Sequence, residues 1–499
     1  WVTLFERSLL LTHLVGRGYL NKSLPRNFEP IRFMHLRILW VLALTSLLVL
    51  LRPCDTQALS LGYTNGKLGT YSSLVQLLTV NSRQILPVQQ SDLVFPDYLQ
   101  RSHIISVYEE KVAQSPNSSI FLRLLADQYL RRFREMADVE DVLRAEQAAR
   151  RSLALQPRHN QVSSMLLASA LLSQHQFRSA LDVLNNPSVD NPNIVSLRAS
   201  IQMELGDYEA AHQLLQNLAE EESNSGHNAV VARYLELTGN LASARQRLNE
   251  AMQEMDSFYT MSAETRAWFH VRTGDLAFAA GDLALSEQRY REALDLFPRH
   301  IAAFTGLARL YAAQHRWQDA LNAANQGIEL MPQVETLGYK ADAQLALGDQ
   351  EGATETEDLI GVVAYLSKVK GIYDCAMAVY YTEHGIHLTE ALEIARSEVA
   401  VRDDVYAEDT LAWAAAANGQ WQEAKRAAQR ATRFGTEDAL LQFHAGMIAF
   451  HLNNREEAVK RLTQAVSLNP QFHHKYADQA RQVLANLMHS VSQNNLSHS

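Results

Sequence analysis

Apolar residues recur at three- and four-residue spacing along most of the chain, as at Leu307, Leu310 and Tyr311. This spacing places apolar side chains on one face of a helix and is typical of amphipathic α-helices. Glycine and proline are scarce, with 21 and 12 copies in 499 residues. That is too few to punctuate a large β protein or long disordered linkers. The pattern therefore predicts an all-α protein.

The helical pattern repeats along the chain. The phrase Gly-Asp-x-x-x-Ala begins at Gly206, and variants of it begin at Gly239, Gly281, Gly348 and Gly419. The small residue that ends the phrase stands at Ala180, Ala211, Ala244, Ser286, Ala320, Ala353, Ala391, Ala424 and Ala458. Most of these positions are 33 or 34 residues apart. A fixed period of this length indicates one structural unit that is used many times.

Each period predicts two antiparallel helices joined by a tight turn. Small residues in both helices, such as Ala308 and Ala320, let the two helix axes approach closely. A glycine such as Gly348 ends the first helix in a left-handed conformation. A proline such as Pro332 follows the second helix, because proline cannot continue the hydrogen-bond ladder.

The unit at residues 300–332 resembles the tetratricopeptide repeat family. The residues that carry the resemblance are Phe304, Leu307, Ala308, Tyr311, Ala320, Ala324, Gly327 and Pro332. The resemblance extends over residues 98–491. It implies a right-handed superhelical solenoid of about ten helix-turn-helix repeats, preceded by a half-unit that ends at Pro116. We expect the solenoid over residues 98–472, a polar-faced capping helix over 473–491 and a disordered tail over 492–499.

Two units depart from the pattern. The unit around Ala145 needs extra residues between its helices, which we place between Arg131 and Asp138. The unit around Ala353 has Gln344 and Glu357 where bulky or apolar groups are usual in the family. We therefore expect weaker packing there.

The N-terminal part of the chain has the pattern of an export signal. A short basic stretch at residues 34–37 precedes a fourteen-residue apolar run, Ile38 to Leu51, and Thr56 and Ala58 supply small side chains before a possible cleavage. The pattern predicts a signal peptide with Met34 as the true start. Two other interpretations of the apolar run stay open, a buried core helix and an uncleaved membrane anchor. Cys54 makes a poor lipid acylation site, because arginine and proline precede it.

This interpretation divides the N-terminal part of the chain into three. Residues 1–33 are an upstream extension, residues 34–58 are the signal peptide, and residues 59–97 form an irregular segment. We expect a periplasmic or secreted protein, with membrane anchoring through residues 38–51 as the alternative. The phrases at residues 409–413, 443–449 and 468–470 are similar to those of exported bacterial tetratricopeptide proteins, which supports the same expectation.

The charge limits the partners that the chain can have. The formal net charge is −10, and removal of residues 1–58, with seven basic and three acidic side chains, makes it −14. No large basic block is present, which argues against a nucleic-acid partner. The two cysteines, Cys54 and Cys375, can build neither a disulfide framework nor a four-thiolate zinc site. Cys375 is expected to be a buried, inert thiol.

The resemblance implies that the first helix of each pair lines a concave groove. At the inward positions, the C-terminal units carry a stripe of aromatic residues: Trp268, Phe278, Tyr339, Tyr373, Tyr380, Tyr406, Trp413, Phe443 and Phe450. Such a stripe suits an extended peptide or an amphipathic helix, because rigid aromatics provide large contact area at low entropic cost. The alternative is that these rings pack between adjacent first helices as ordinary core. The lysine and asparagine with which chaperone-binding members of the family hold a terminal carboxylate are missing here.

The sequence contains no motif for catalysis. It has no phosphate-binding glycine loop, no serine elbow and no zinc-protease helix, and the repeats leave no room for a catalytic domain. His384 and His387 with Glu383 are too few ligands for a zinc site. We therefore expect no enzyme activity, no cofactor and no bound metal.

These observations lead to one functional prediction and one alternative. The prediction is an exported, non-catalytic scaffold that binds a protein or peptide in its concave groove. The alternative is a structural or assembly subunit of a cell-envelope or secretion complex. Contact with a membrane is expected only through an uncleaved signal segment or such a complex.

Overall fold

The computed structural model describes residues 97–185, 191–216, 224–258, 261–369 and 375–496, which all fall within one compact unit. Within these ranges the chain forms 22 α-helices, one short 3₁₀-helix at Asp97–Gln100, and no β-sheet. None of these helices is both long and apolar enough to span a membrane. The predicted upstream extension and signal peptide lie outside the described residues.

Twenty of the helices form ten consecutive antiparallel pairs, which we number as units 1 to 10. The first helices are α2 (Ser119–Met136), α4 (Gln161–Leu172), α6 (Pro192–Glu204), α8 (Ser225–Leu237), α10 (Ala263–Ala279), α12 (Ile301–Ala313), α14 (Val334–Ala346), α16 (Cys375–His384), α18 (Val405–Ala417) and α20 (Ala439–His451). The second helices are α3 (Val139–Leu155), α5 (Phe177–Leu184), α7 (Tyr208–Gln216), α9 (Leu241–Ser257), α11 (Leu283–Leu296), α13 (Trp317–Leu330), α15 (Gln350–Val369), α17 (Leu388–Val401), α19 (Trp421–Ala431) and α21 (Arg455–Leu468). Helix α1 (Arg101–Gln114) precedes unit 1, and α22 (Tyr476–Leu496) follows unit 10. The predicted all-α repeat solenoid is confirmed.

The small residues and the turn glycines act as the repeat pattern predicts. Ala308 and Ala320 are completely buried where the two helices of unit 6 cross, so the helix axes can approach closely. Gly239 ends α8 with a φ of 77°, a left-handed conformation that glycine adopts without steric cost. In unit 6, which has no glycine at this turn, His315 adopts the same conformation with a φ of 57°.

The structure corrects one local expectation and explains another. The extra residues of unit 1 do not form a loop between the helices. They extend α2 to Met136, and Ala137 caps the helix in a left-handed conformation. In unit 7 the buried Gln344 accepts a hydrogen bond of 2.7 Å from the Thr356 hydroxyl, so this polar pair replaces the usual apolar contact.

The solenoid coils so tightly that its successive turns touch. The turns between the helices of units 3, 4 and 5 meet the loops that follow the second helices of units 8, 9 and 10. Three hydrogen bonds join these segments to backbone carbonyls: Asp403 N to Leu205 O (3.5 Å), Thr436 Oγ1 to Leu237 O (2.6 Å) and Asn469 Nδ2 to Phe278 O (2.8 Å). In each case the two joined units are five apart along the chain. One superhelical turn therefore takes about five units.

Glycine makes this close approach possible. A β-carbon on Gly206 would clash with the carbonyl oxygen of Asp403, and one on Gly239 would lie 2.5 Å from the carbonyl oxygen of Gly435. Gly348 and Gly419 occupy the same turn in units 7 and 9, and a β-carbon there would meet nothing within 4 Å. The turn glycines of units 3 and 4 therefore serve the contact between superhelical turns as well as the helix end.

Candidate functional site: the concave surface

The first helices line the inner, concave side of the coil. First helices of adjacent units pack against each other, as α6 does against α8 and α16 against α18, whereas adjacent second helices lie further apart. A row of helix pairs curves toward the side on which its members are closest. The concave surface is therefore built from α2 to α20, as the sequence predicted.

A chain of ion pairs runs along the concave surface of units 4 to 6. Glu236 on α8 pairs with Arg233 and with Arg272 on α10, both at 2.9 Å. Asp275 on α10 then pairs with Arg272 at 2.8 Å and with Arg309 on α12 at 2.9 Å. Each carboxylate lies between two arginines, so the charges of this wall largely compensate one another.

The pairing sets the protonation of the two carboxylates. Burial alone would raise the pKa of Asp275, but Arg272 and Arg309 hold it below its ordinary value. At Glu236, too, burial would raise the pKa. The charges of Arg233 and Arg272 outweigh it, so the pKa of Glu236 is also lowered. Both groups are thus ionised at neutral pH, and the ion pairs persist.

The concave surface of units 7 to 10 is occupied by the chain's own C-terminal segment, which we call the plug segment (His473–Tyr476). The Tyr476 ring stacks on Phe443 with centroids 4.8 Å apart and meets Trp413 edge-on at 5.7 Å. Lys475 pairs with Asp342 at 3.0 Å, and the Nε2 atom of His474, whose pKa is lowered by burial, lies 3.2 Å from the same carboxylate. His473 approaches Glu383 at 3.6 Å. The plug segment therefore places a basic and aromatic group of residues against an acidic and aromatic wall.

His384 is held in its charged form at this wall. Its Nδ1 lies 2.8 Å from the carbonyl oxygen of Tyr380, and its Nε2 lies 3.2 Å from Asp342 Oδ1. Both neighbours are acceptors, so both ring nitrogens must carry a proton to make these hydrogen bonds. Burial lowers the pKa of His384, but the hydrogen bond and charge of Asp342 outweigh it, and the pKa is raised.

The structure divides the predicted aromatic stripe. Phe443, Tyr380 and Phe278 are buried, and Phe278 packs beneath the Arg309 guanidinium, 4.6 Å from the ring centre. Tyr339, Tyr406 and Trp413 are half-buried.

Two members of the stripe remain exposed, Trp268 with 38% and Phe450 with 36% of their surface. Tyr373 lies outside the described residues. Partner binding by this stripe stays a prediction.

Two smaller sequence predictions concern reactive side chains. Among the described residues, no group of three or more histidine, cysteine or acidic side chains is arranged to hold a metal ion. His387 adopts a left-handed conformation at the start of α17. Cys375, predicted to be buried, is half-buried. Desolvation of its thiol nevertheless raises the pKa to about 11 against the opposing hydrogen bond with Thr410, so the thiol is protonated at neutral pH.

An open cleft of about 320 Å³ lies where units 2 and 3 meet the next superhelical turn. It is lined by Leu172, His175, Phe177, Ser200, Glu204 and Arg402. Arg402 comes from the loop after unit 8 and pairs with Glu204 at 2.6 Å across the junction. Sequence reasoning missed this cleft, because nothing in the repeat pattern shows that residue 402 returns to residue 204.

The comparisons with known proteins agree with the repeat pattern. A tetratricopeptide repeat family model matches residues 271–333 and 410–471. These segments cover units 6 and 10 completely and most of units 5 and 9. The chain therefore carries tetratricopeptide repeats. It matches none of the curated proteins.

Three solved structures resemble parts of the chain. PilW, a widely conserved type IV pilus biogenesis factor, is 20% identical over 40% of this chain and 91% of its own, with a TM-score of 0.34. Yeast Tom70 is 12% identical over 80% of this chain and 93% of its own, with a TM-score of 0.33. The C-terminal part of a TPR repeat-containing protein from Cytophaga hutchinsonii is 16% identical over 54% of this chain and 93% of its own, with a TM-score of 0.30.

Proposed function

We propose that this chain of tetratricopeptide repeats is a non-catalytic scaffold that binds an extended segment of a protein partner on the concave surface of its first superhelical turn. The observation that carries the proposal is the cleft at units 2 and 3. It is an open cleft lined in part by Ser200 and Glu204 of the first helix α6, whereas the plug segment packs against the first helices of units 9 and 10 at Trp413 and Phe443. The binding surface is thus the N-terminal half of the groove.

The cleft has the chemistry of a side-chain pocket. Leu172 and Phe177 provide an apolar wall, and a volume of about 320 Å³ is enough for one large side chain. Glu204 and Arg402 stand at the same cleft as a polar pair. An apolar anchor residue of the partner would occupy the pocket, and the polar pair would select the orientation of its backbone.

The non-catalytic role rests on the sequence, which is filled by repeats and lacks catalytic motifs. Export is also part of the proposal. It is supported by the basic stretch, apolar run and small residues at positions 34–58. N-terminal sequencing of the protein purified from its native cells would find Leu59 or a neighbour as the first residue. A first residue at or before Met34 would contradict cleavage.

The cleft can be tested with a matched pair of substitutions. Ser200 and Ser169 stand at the same position of adjacent first helices and are both half-buried, but only Ser200 lines the cleft. We expect Ser200→Arg to fill the cleft and to lower partner capture at least about tenfold, whereas Ser169→Arg changes it little. Capture is measured by cross-linking in native cells followed by identification of the attached protein.

The pair also shows what would contradict the proposal. If Ser200→Arg folds normally by circular dichroism and still captures the same partner as the unchanged protein, the cleft is not the binding surface. If both substitutions abolish capture equally, the effect is one of added charge on the concave surface.

A further inference from the structure

Helix α15 of unit 7 differs from every other second helix that the structure describes. At 20 residues it is the longest of them. Its inner face is ordinary, because Ala353, Thr356 and Ile360 are buried against α14 and its neighbours. Its outer face carries large apolar residues, which second helices of a solenoid normally replace by polar groups.

The outer face of α15 consists of two halves. Its residues follow each other at three- and four-residue spacing and so share one side of the helix. We call them the α15 stripe: Glu351, Glu355, Asp358, Val362, Tyr365 and Leu366. The acidic half comes first, and the apolar half follows toward the C-terminal end of the helix.

The apolar half of the stripe is strongly exposed. Val362, Tyr365 and Leu366 keep 41%, 58% and 51% of their surface accessible. Tyr365 is the most exposed aromatic side chain that the described residues contain. Three large apolar side chains at adjacent positions of one helix face are typical of a docking surface rather than of isolated exposed residues.

The acidic half of the stripe is not paired with any cation among the described residues. Glu351, Glu355 and Asp358 are exposed, and none of them forms an ion pair with a described residue. Two other second helices pair an acidic residue with an arginine one turn away, α3 with Arg150 and Glu146 at 2.8 Å and α21 with Arg461 and Glu457 at 2.6 Å. The acidic residues of α15 therefore leave a local negative charge beside the apolar patch.

From this arrangement we infer that the α15 stripe binds an amphipathic helix of a protein partner, one with apolar residues at its N-terminal end and lysine or arginine at its C-terminal end. An antiparallel helix would place its basic end over Glu351, Glu355 and Asp358 and its apolar end over Tyr365 and Leu366. Basic residues at the C-terminal end also suit the dipole of the partner helix itself. The acidic half would repel the anionic headgroups of a lipid surface, which favours a protein partner.

This site is separate from the concave cleft and goes beyond the proposed function. The stripe lies on a second helix, at the outer side of unit 7, whereas the cleft lies between units 2, 3 and 8. A scaffold with both would hold two segments of protein at once. The Ser200→Arg variant should therefore bind a helix at the α15 stripe as well as the unchanged protein does.

The probe for this site is a fluorescently labelled designed peptide of about 20 residues, which as a helix is as long as α15. Leucines occupy one face of its N-terminal half, and lysines occupy the same face of its C-terminal half. Binding to the full chain is measured by fluorescence anisotropy at low and high salt. We expect saturable binding that weakens as salt is added, because part of the attraction is between exposed charges.

Two sets of variants assign the binding to the stripe. Tyr365→Ser combined with Leu366→Ser removes only exposed side chains, and we expect it to weaken binding at least about tenfold. Reversal of the acidic half to lysine should abolish binding of the lysine peptide and create binding of a matched peptide with glutamates in place of the lysines. Glu393→Lys, at an exposed acidic position of α17, is the control and should change little.

Charge reversal that transfers binding from the lysine peptide to the glutamate peptide would establish the site and its orientation. If the unchanged protein does not bind the lysine peptide, the inference is overturned. It is also overturned if the Tyr365 and Leu366 variant binds as well as the unchanged protein does.

Discussion

The α-carbon of Gly239 lies against the carbonyl oxygen of Gly435, so close that a β-carbon on Gly239 would stand 2.5 Å from that oxygen. The two residues are separated by five repeat units. Their contact lies at the middle one of the three junctions described above, at which units 3, 4 and 5 meet the loops after units 8, 9 and 10. It is reinforced by the Thr436 hydroxyl, which donates a hydrogen bond of 2.6 Å to the carbonyl of Leu237.

The contact can be tested by comparing the stability of alanine variants at two turn glycines, Gly239 and Gly419. Gly239 and Gly419 have similar φ angles, 77° and 70°, but only Gly239 touches the next superhelical turn. Alanine at either position costs about 1 kcal/mol in left-handed strain. We expect Gly239→Ala to lower the free energy of unfolding by a further ~1–3 kcal/mol, because its β-carbon overlaps the opposite backbone. Chemical denaturation of the two variants measures the difference.

A second measurement separates the two effects. If the turns separate in Gly239→Ala, small-angle X-ray scattering should show a larger radius of gyration than in Gly419→Ala. Equal losses of stability and equal dimensions in both variants would mean that the turns do not touch in solution.

The same residues show what could be predicted from the sequence. The period, the small residues such as Ala320 and the turn glycines are local, so they revealed the helix pairs, their number and the concave side. The contact of Gly239 with Gly435 depends on the small rotation between units, summed over five of them. This total rotation cannot be inferred from any single residue. The sequence therefore predicted neither the contact between successive superhelical turns nor the cleft at Arg402.

The plug segment explains why some residues of the aromatic stripe, such as Phe443, are buried while others are exposed. That the aromatic stripe faces the concave side stays a prediction, but the chain itself supplies a group that packs against Trp413 and Phe443. Tyr476 lies in a region that the sequence marked only as a capping helix. As a consequence, substitution of Trp413 or Tyr380 is now expected to measure stability, whereas Trp268 and Phe450 are free to test binding.

A pH dependence follows from Asp342. Burial would raise the pKa of this carboxyl, but hydrogen bonds with His384 and His474 and the charge of Lys475 hold it well below its usual range. A carboxyl with a lowered pKa in the folded state stabilises the fold above its unfolded pKa, which is about 3.9. That stability is lost as the pH falls through the lower, folded-state value.

We therefore expect Asp342→Asn to destabilise the protein by about 3 kcal/mol at pH 6, because it leaves the largely buried, protonated His384 without its carboxylate. The difference from the unchanged protein should shrink toward pH 3 and below. Thermal unfolding at a series of pH values checks this. Asp295→Asn, at an exposed aspartate, serves as the control and should unfold with the unchanged protein at every pH. A gap for Asp342→Asn that is constant from pH 7 to pH 2 would contradict the ion pairs.

The plug segment itself can be tested at Tyr476, whose ring is buried between Phe443 and Trp413. Tyr476→Phe keeps the ring and removes only the hydrogen bond of 3.4 Å that Trp413 Nε1 donates to the hydroxyl, at a cost of about 1 kcal/mol. Tyr476→Ala also opens a cavity, and we expect a loss of about 3–5 kcal/mol. The midpoints of guanidinium unfolding should therefore fall in the order unchanged protein, Tyr476→Phe, Tyr476→Ala. If alanine and phenylalanine unfold at the same denaturant concentration, the ring is not packed in the groove, and the concave surface of units 7 to 10 is open to a partner after all.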